Sequence, residues 1–219
     1  MKTAINGLIL ATGVLGASLA HSAEESFNVA AFDQLNLKKG IEATVYCGNE
    51  PKVVATAQSH VLDVLELTSQ NGELRVSNEA YSEREWWNKD NRLSLAIYTN
   101  QPISNFENYV GVKLDVASCA VNSSQVSVTG TVGTDISLAG QTERLNLALL
   151  QGGNFTARDG NFVVDSVDLS LEFGSHAELC HANQVSGYMS FGTSLHLGAT
   201  TQYNVSQSFA SSIRTDLCQ

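Results

Sequence analysis

Cys180 stands beside His181 with His176 shortly before them, so soft and borderline metal ligands crowd one short stretch of the chain. A zinc ion there would need a further ligand from elsewhere. Neither Cys-x-x-Cys nor His-Glu-x-x-His occurs, so the group reads as a structural thiol among surface imidazoles, and no metal or other cofactor is expected. Asp165 and Asp168 lie close enough in sequence to suggest a carboxylate pair for glycan cleavage. Alternation around Val167 and Leu169 places them more simply on the solvent side of a strand. Gly-x-Ser-x-Gly is absent, and His60, His176, His181 and His196 are too scattered to define a triad. The chain therefore reads as a non-enzyme. The residues that invite binding rather than catalysis are Trp86 and Trp87, with Tyr81 at the head of the same polar segment, 81–91. Such rings can stack on sugars or anchor a partner protein, or they can fold down over an unpaired sheet end.

The elements that position these residues begin after an export leader. Lys2 precedes an apolar, small-residue run from Ala4 to Ala20, too short to span a bilayer, and small residues follow at the cleavage end. Residues 1–23 are expected to be a signal peptide cut after Ala20 or Ala23, leaving residues 24–219 as a single domain carrying the 81–91 insertion. Removing the leader takes away only Lys2, so 11 of the 12 basic residues face 22 acidic ones. That surplus, without a Lys/Arg stripe, argues against nucleic acid as a partner. No second apolar run of membrane length follows, so no transmembrane segment is expected.

Beyond the leader, β-branched residues alternate with polar ones almost throughout. Asn71-Gly72 between two such runs marks a hairpin. In the C-terminal half, strand-like pieces ending in a small residue lead off at Val126, Leu147, Leu169, Tyr188 and Val205, about 20 residues apart. A second ladder interleaves with them through Ile136, Leu138, Phe155, Ala157, Ala177, Leu179, Leu195 and Leu197. Two half-amphipathic strands per repeat cannot bury their faces alone, but stacked repeats can. The fold class is all-β, a right-handed parallel β-helix or solenoid-like stack of short strands. In it Val128, Leu147, Leu169 and Leu171 point inward, Ser127 and Ser170 point out, and Gly130, Gly152, Gly174 and Gly192 turn the corners.

Phe27 through Phe32, Gly40-Ile41-Glu42-Ala43-Thr44-Val45, Val53-Val54-Ala55 and Asn71-Gly72-Glu73-Leu74-Arg75-Val76, with the repeated strand ends, resemble the auto-transporter adhesin head GIN domain family. The resemblance implies a secreted or periplasmic bacterial β-coil of unassigned activity, with no catalytic motif to carry over. Four cysteines and the 81–91 insertion depart from the family's usual pattern.

Cys47, Cys119, Cys180 and Cys218 all lie in the exported part, where disulfides are expected. Aligned by their glycines, Cys119 and Cys180 fall at one phase of turns about three apart, too distant for a bridge. Two schemes remain. Cys47 with Cys119 and Cys180 with Cys218 closes shorter loops, and is favoured over Cys47 with Cys180 and Cys119 with Cys218. The function expected is that of an exported, non-enzymatic binding or adhesion-type module of the periplasm or cell surface. Its partner would be a polysaccharide or an envelope protein, and a homo-oligomer is compatible with the sequence. A polysaccharide lyase or glycoside hydrolase on a β-helix, and a self-associating scaffold, are the alternatives from other classes.

Overall fold

The computed structural model describes residues 22–82, 89–216 and 218. Alternating residues fold almost wholly into strands, which wind into a curled β-solenoid of about five turns. Each layer pairs one strand from each of two sheets. The first sheet runs β5 (Leu65–Gln70), β6 (Glu73–Asn78), β2 (Gln34–Lys38), β8 (Asn105–Tyr109), β10 (Ser123–Gly130), β11 (Asp135–Leu149), β12 (Asn154–Leu171), β14 (Ala182–Met189) and β16 (Gln202–Gln207). The second runs β1 (Ser22–Asn28), β4 (Lys52–Gln58), β7 (Leu93–Thr99), β3 (Ile41–Cys47), β9 (Lys113–Val116), then the first parts of β11 and β12, then β13 (His176–Leu179), β15 (Ser194–Leu197) and β17 (Ser212–Arg214). β11 and β12 belong to both sheets because each bends between them, and Gly140 takes φ +119° at the irregularity.

From β8 onward the layers follow chain order and every pairing is parallel. The N-terminal part is threaded differently. β2 and β3 lie between β6 and β7 on one side and β8 and β9 on the other, so the chain lays down an inner layer, then an outer one, then returns. The Asn71-Gly72 hairpin joins β5 to β6, with φ of 54° and 79° at its two central residues, the signature of the tight turn expected there.

Period-two alternation sets the core. Val128, Leu147, Leu169 and Leu171 are buried while Ser127 and Ser170 lie on the outer side, half-buried. The second ladder is buried as well, apart from Ala157, which packs against its rim.

The repeat phase differs from the expected one. Val128 stacks on Leu147, then Leu169, Gly187 and Val205 in successive layers. Val126 therefore aligns with Leu145 rather than Leu147, and Tyr188 lies one place past the inward position and points out. Gly130 is not at a corner. It ends β10 in register with Leu149, and a Cβ there would lie 2.4 Å from Thr134 Oγ1, so close packing rather than turning explains it. Gly133 is the residue in phase with Gly152, Gly174 and Gly192.

Both bridges of the favoured scheme are present, Cys47–Cys119 with Cα atoms 6.0 Å apart and Cys180–Cys218 with 5.3 Å. Cys47 and Cys119 follow Val45 and Val116, which are partners in adjacent layers. Cys218 reaches back past an intervening layer, where a Cβ on Gly198 would meet the Cys180 carbonyl oxygen at 2.3 Å.

Candidate binding ridge at the coil corner

Among the described residues, seven passages from the first sheet to the second turn one stacked corner. The corner pairs are Lys39-Gly40, Val110-Gly111, Val132-Gly133, Gln151-Gly152, Phe173-Gly174, Phe191-Gly192 and Phe209-Ala210. They are linked by backbone bonds in which each glycine N–H donates to the residue before the next glycine or, at the last step, before Ala210. Gly40 donates to Val110, Gly111 to Val132, Gly133 to Gln151, Gly152 to Phe173, Gly174 to Phe191, and Gly192 to Phe209, at 2.9 to 3.1 Å. Satisfying these amides layer by layer keeps the corner in register with the sheets it joins.

The residue before the glycine is where the sequence behaves unexpectedly. At Lys39, Val110, Gln151, Phe173 and Phe191 it has positive φ, between 48° and 68°. Asn, Asp or Gly adopts that conformation at little cost, whereas a bulky or β-branched side chain there is an outlier. Phe173 and Phe191 nevertheless hold φ of 48° and 49° and leave their side chains out of the core, 50% and 53% exposed. Their rings stack on one another with centroids 5.2 Å apart and planes 6° from parallel. Phe209, in the next layer, is 78% exposed. Tyr188, exposed on the adjoining outer face, donates its hydroxyl hydrogen bond to the Glu172 carboxylate, which also faces Ser170 Oγ at 3.5 Å. The Ser175 hydroxyl closes the turn from inside, donating to the Glu172 carbonyl at 2.6 Å. The result is an apolar ridge of aromatic ring edges, bordered by a tyrosine and an acid, along the last three layers of the coil.

Tyr81 lies at the opposite end of the same corner. Its ring covers Gly40 and Gly111, where a Cβ would come within 2.1 Å and 3.0 Å of its atoms. It borders a shallow cleft of about 530 Å³ shared with Arg92, Val110 and Val132. The candidates Trp86 and Trp87 lie outside the described residues. Asp165 and Asp168 are both exposed strand residues, and Asp165 accepts a bond from Asn183 Nδ2 at 3.0 Å.

Sequence reasoning misses the phenylalanines because Phe173 and Phe191 read as the ends of alternating strands. The signal that finds them is Phe173-Gly174, Phe191-Gly192 and Phe209-Ala210 recurring at one constant spacing.

A family model described as "Putative auto-transporter adhesin, head GIN domain" matches residues 31–199. Among solved structures, a putative adhesin from Bacteroides fragilis NCTC 9343 superposes with TM-score 0.64 at 13% identity, covering 89% of this chain and 97% of its own. A putative lipid binding protein from Parabacteroides distasonis ATCC 8503 matches with TM-score 0.47 at 9% identity, covering 89% of this chain and 96% of its own. The first of these shares the fold. No relative is found among curated protein sequences.

Proposed function

Because the chain belongs to the auto-transporter adhesin head GIN domain family, we propose that it is an exported adhesion-type module that grips a second macromolecule with the Phe173–Phe191–Phe209 corner. One observation carries this reading: the Phe173 and Phe191 rings are held outside the core at a backbone conformation that costs an aromatic residue on the order of 1 kcal/mol or more and an asparagine much less. Support for export comes from the family and from two disulfides, which persist in oxidising compartments. Pairing of Ser22 and Ala23 with Gln58 and Ala57 in β1 favours leader cleavage after Ala20, which leaves that strand whole.

The ring geometry favours an envelope or cell-surface protein over a polysaccharide. Sugars stack on an open aromatic face, but Phe173 and Phe191 turn faces towards each other and edges outward. Edges beside a Tyr–Glu rim suit apolar side chains of a polypeptide partner, where aromatic anchors carry most of the binding energy. No catalytic step is assigned to the ridge.

The test is a triple variant, Phe173→Asn, Phe191→Asn and Phe209→Ser. Asparagine accepts positive φ, so unfolding free energy should stay within about 1 kcal/mol of wild type. Binding to immobilised envelope proteins should be lost, and a glycan array should be silent for both proteins. Wild-type binding by the variant removes the corner from function. A positive glycan array that the variant loses transfers the ridge to polysaccharide.

A further inference from the structure

We infer that His176, Glu178 and His196 form a site for one divalent transition-metal ion of the zinc class. The three residues come from successive layers of the second sheet, His176 and Glu178 from β13 and His196 from β15, where Glu178 and His196 are register partners. Alternation turns all three outward, and each remains half-buried. Their ligand atoms all lie within 4.8 Å of one another. Glu178 Oε1 is 3.5 Å from His176 Nε2 and 3.7 Å from His196 Nδ1, and the two imidazole rings meet edge to face at 4.5 Å.

The long hydrogen bond between His176 Nε2 and Glu178 Oε1, at 3.5 Å, does not account for the second imidazole that converges on the same oxygen. One carboxylate oxygen is approached by two ring nitrogens, both beyond the usual N–H···O range of about 2.7 to 3.2 Å. Ligand atoms around a tetrahedral zinc with bonds of about 2.1 Å lie about 3.4 Å apart, so a small side-chain adjustment closes the trio on an ion. A second observation orients the ring. His176 Nδ1 lies 2.7 Å from Ser194 Oγ. With Nδ1–H donating to that hydroxyl, the Nε2 lone pair faces Glu178, which is the outer hydrogen bond that fixes metal-bound imidazoles.

Two imidazoles and one carboxylate suit zinc, nickel, cobalt or copper rather than calcium or magnesium. Three protein ligands on an outward face leave a position open to water or to a partner's donor atom. Arg214, exposed and in register beyond His196, places a positive charge on the flank and argues for micromolar rather than tighter binding. His176 begins the strand that follows the Phe173-Gly174 corner, so the ion would sit at the foot of the aromatic ridge, although the site stands without any role for that ridge.

The experiment is isothermal titration of zinc chloride into the mature, disulfide-bonded, untagged chain after chelator treatment. One ion per chain should bind. His176→Ala and His196→Ala should each weaken binding at least tenfold, and Glu178→Gln somewhat less. His60→Ala and His181→Ala should titrate as wild type. Cobalt in place of zinc should give the strong visible absorption of a four-coordinate ion, lost in the His176→Ala, His196→Ala double variant. That variant changes only outward side chains, so its metal-free urea midpoint should match wild type and confirm that it folds. Absence of stoichiometric zinc binding overturns the site, as does binding that survives the double variant or is lost equally in His60→Ala.

Discussion

The two ends of the coil are finished in opposite ways. At the N-terminal end, β5 reverses on β6 and β1 reverses on β4, so both sheets finish in antiparallel ribbons. The outermost strands carry Glu24, Glu25 and Glu66. Those edge charges discourage a further strand from adding on. At the C-terminal end, β16 and β17 continue the parallel stack, and among the described residues each pairs along one side only. β16 has no charge and no proline, and its inward-phase Tyr203 is 52% exposed where Val185 in the layer beneath is buried. One end is closed by reversed strands, whereas the other stops on parallel strands whose inward Val205 and Ile213 are only partly buried. The contrast places the exposed phenylalanines where the coil is least protected, and it can be tested by attacking each end in turn.

The largest effect is expected at Gly187. It occupies the inward column between Leu169 and Val205 at φ +129°, and a Cβ would lie 1.9 Å from the Leu169 carbonyl oxygen. Backbone has to move to relieve that contact, so Gly187→Ala should destabilise by more than about 3 kcal/mol. Hydrogen exchange should show β14 to β17 opening while β2 and β3 keep their protection. Uniform loss of protection would mean that the two ends unfold as one unit.

Next come the disulfides, which staple opposite halves with sequence separations of 72 and 38 residues. Replacing either pair by alanine should lower stability by about 2 to 4 kcal/mol. Loss of Cys180–Cys218 should fray β15 and β17 before anything else, and loss of Cys47–Cys119 should act on β3 and β9. Proteolysis of the two variants, followed by fragment masses, reports which end is cut.

The smallest effect belongs to the closed end. Glu79 is held below the usual carboxylate range, first by the Lys39 ammonium at 2.5 Å and then by the Ser77 hydroxyl. A depressed carboxyl contributes stability above its unfolded pKa and loses it as pH falls through its folded one. Both partners are partly exposed, so the contribution is slight. Lys39→Ala should move the Glu79 titration upward by NMR and barely change the urea midpoint.

What can be read from sequence depends on whether the physics is local. The Asn71-Gly72 turn and the inward Leu169 beside outward Ser170 are local patterns, and both are found as expected. Corner phase is not local. Gly130 and Gly133 lie in one short strand-to-corner passage, and only the layer above decides which one turns, so counting glycines picks the wrong one. That error carries Tyr188 to the wrong face and hides the phenylalanine ridge. His176 and His196 are likewise invisible as neighbours, because they meet only once His196 is known to pair with Glu178 across one layer. Exclusion of a Cys119 to Cys180 bridge survives the misalignment, since Val116 and Leu179, which precede them, remain three layers apart in the true register.

The displaced inner layer has a consequence for how the chain reaches this state. Leu35 of β2 pairs with Leu74 and Phe106, both remote in sequence, whereas each C-terminal layer finds its neighbour one short turn along the chain. Closing short loops is faster, so nucleation should begin among the C-terminal turns and spread backwards, with the β2–β3 layer slotted between its flanks late. A chain emerging N-terminus first from an export channel would thus hold its leading third unsettled until the trailing turns arrive. Delivery across a membrane and folding would then run in opposite directions along the same polypeptide.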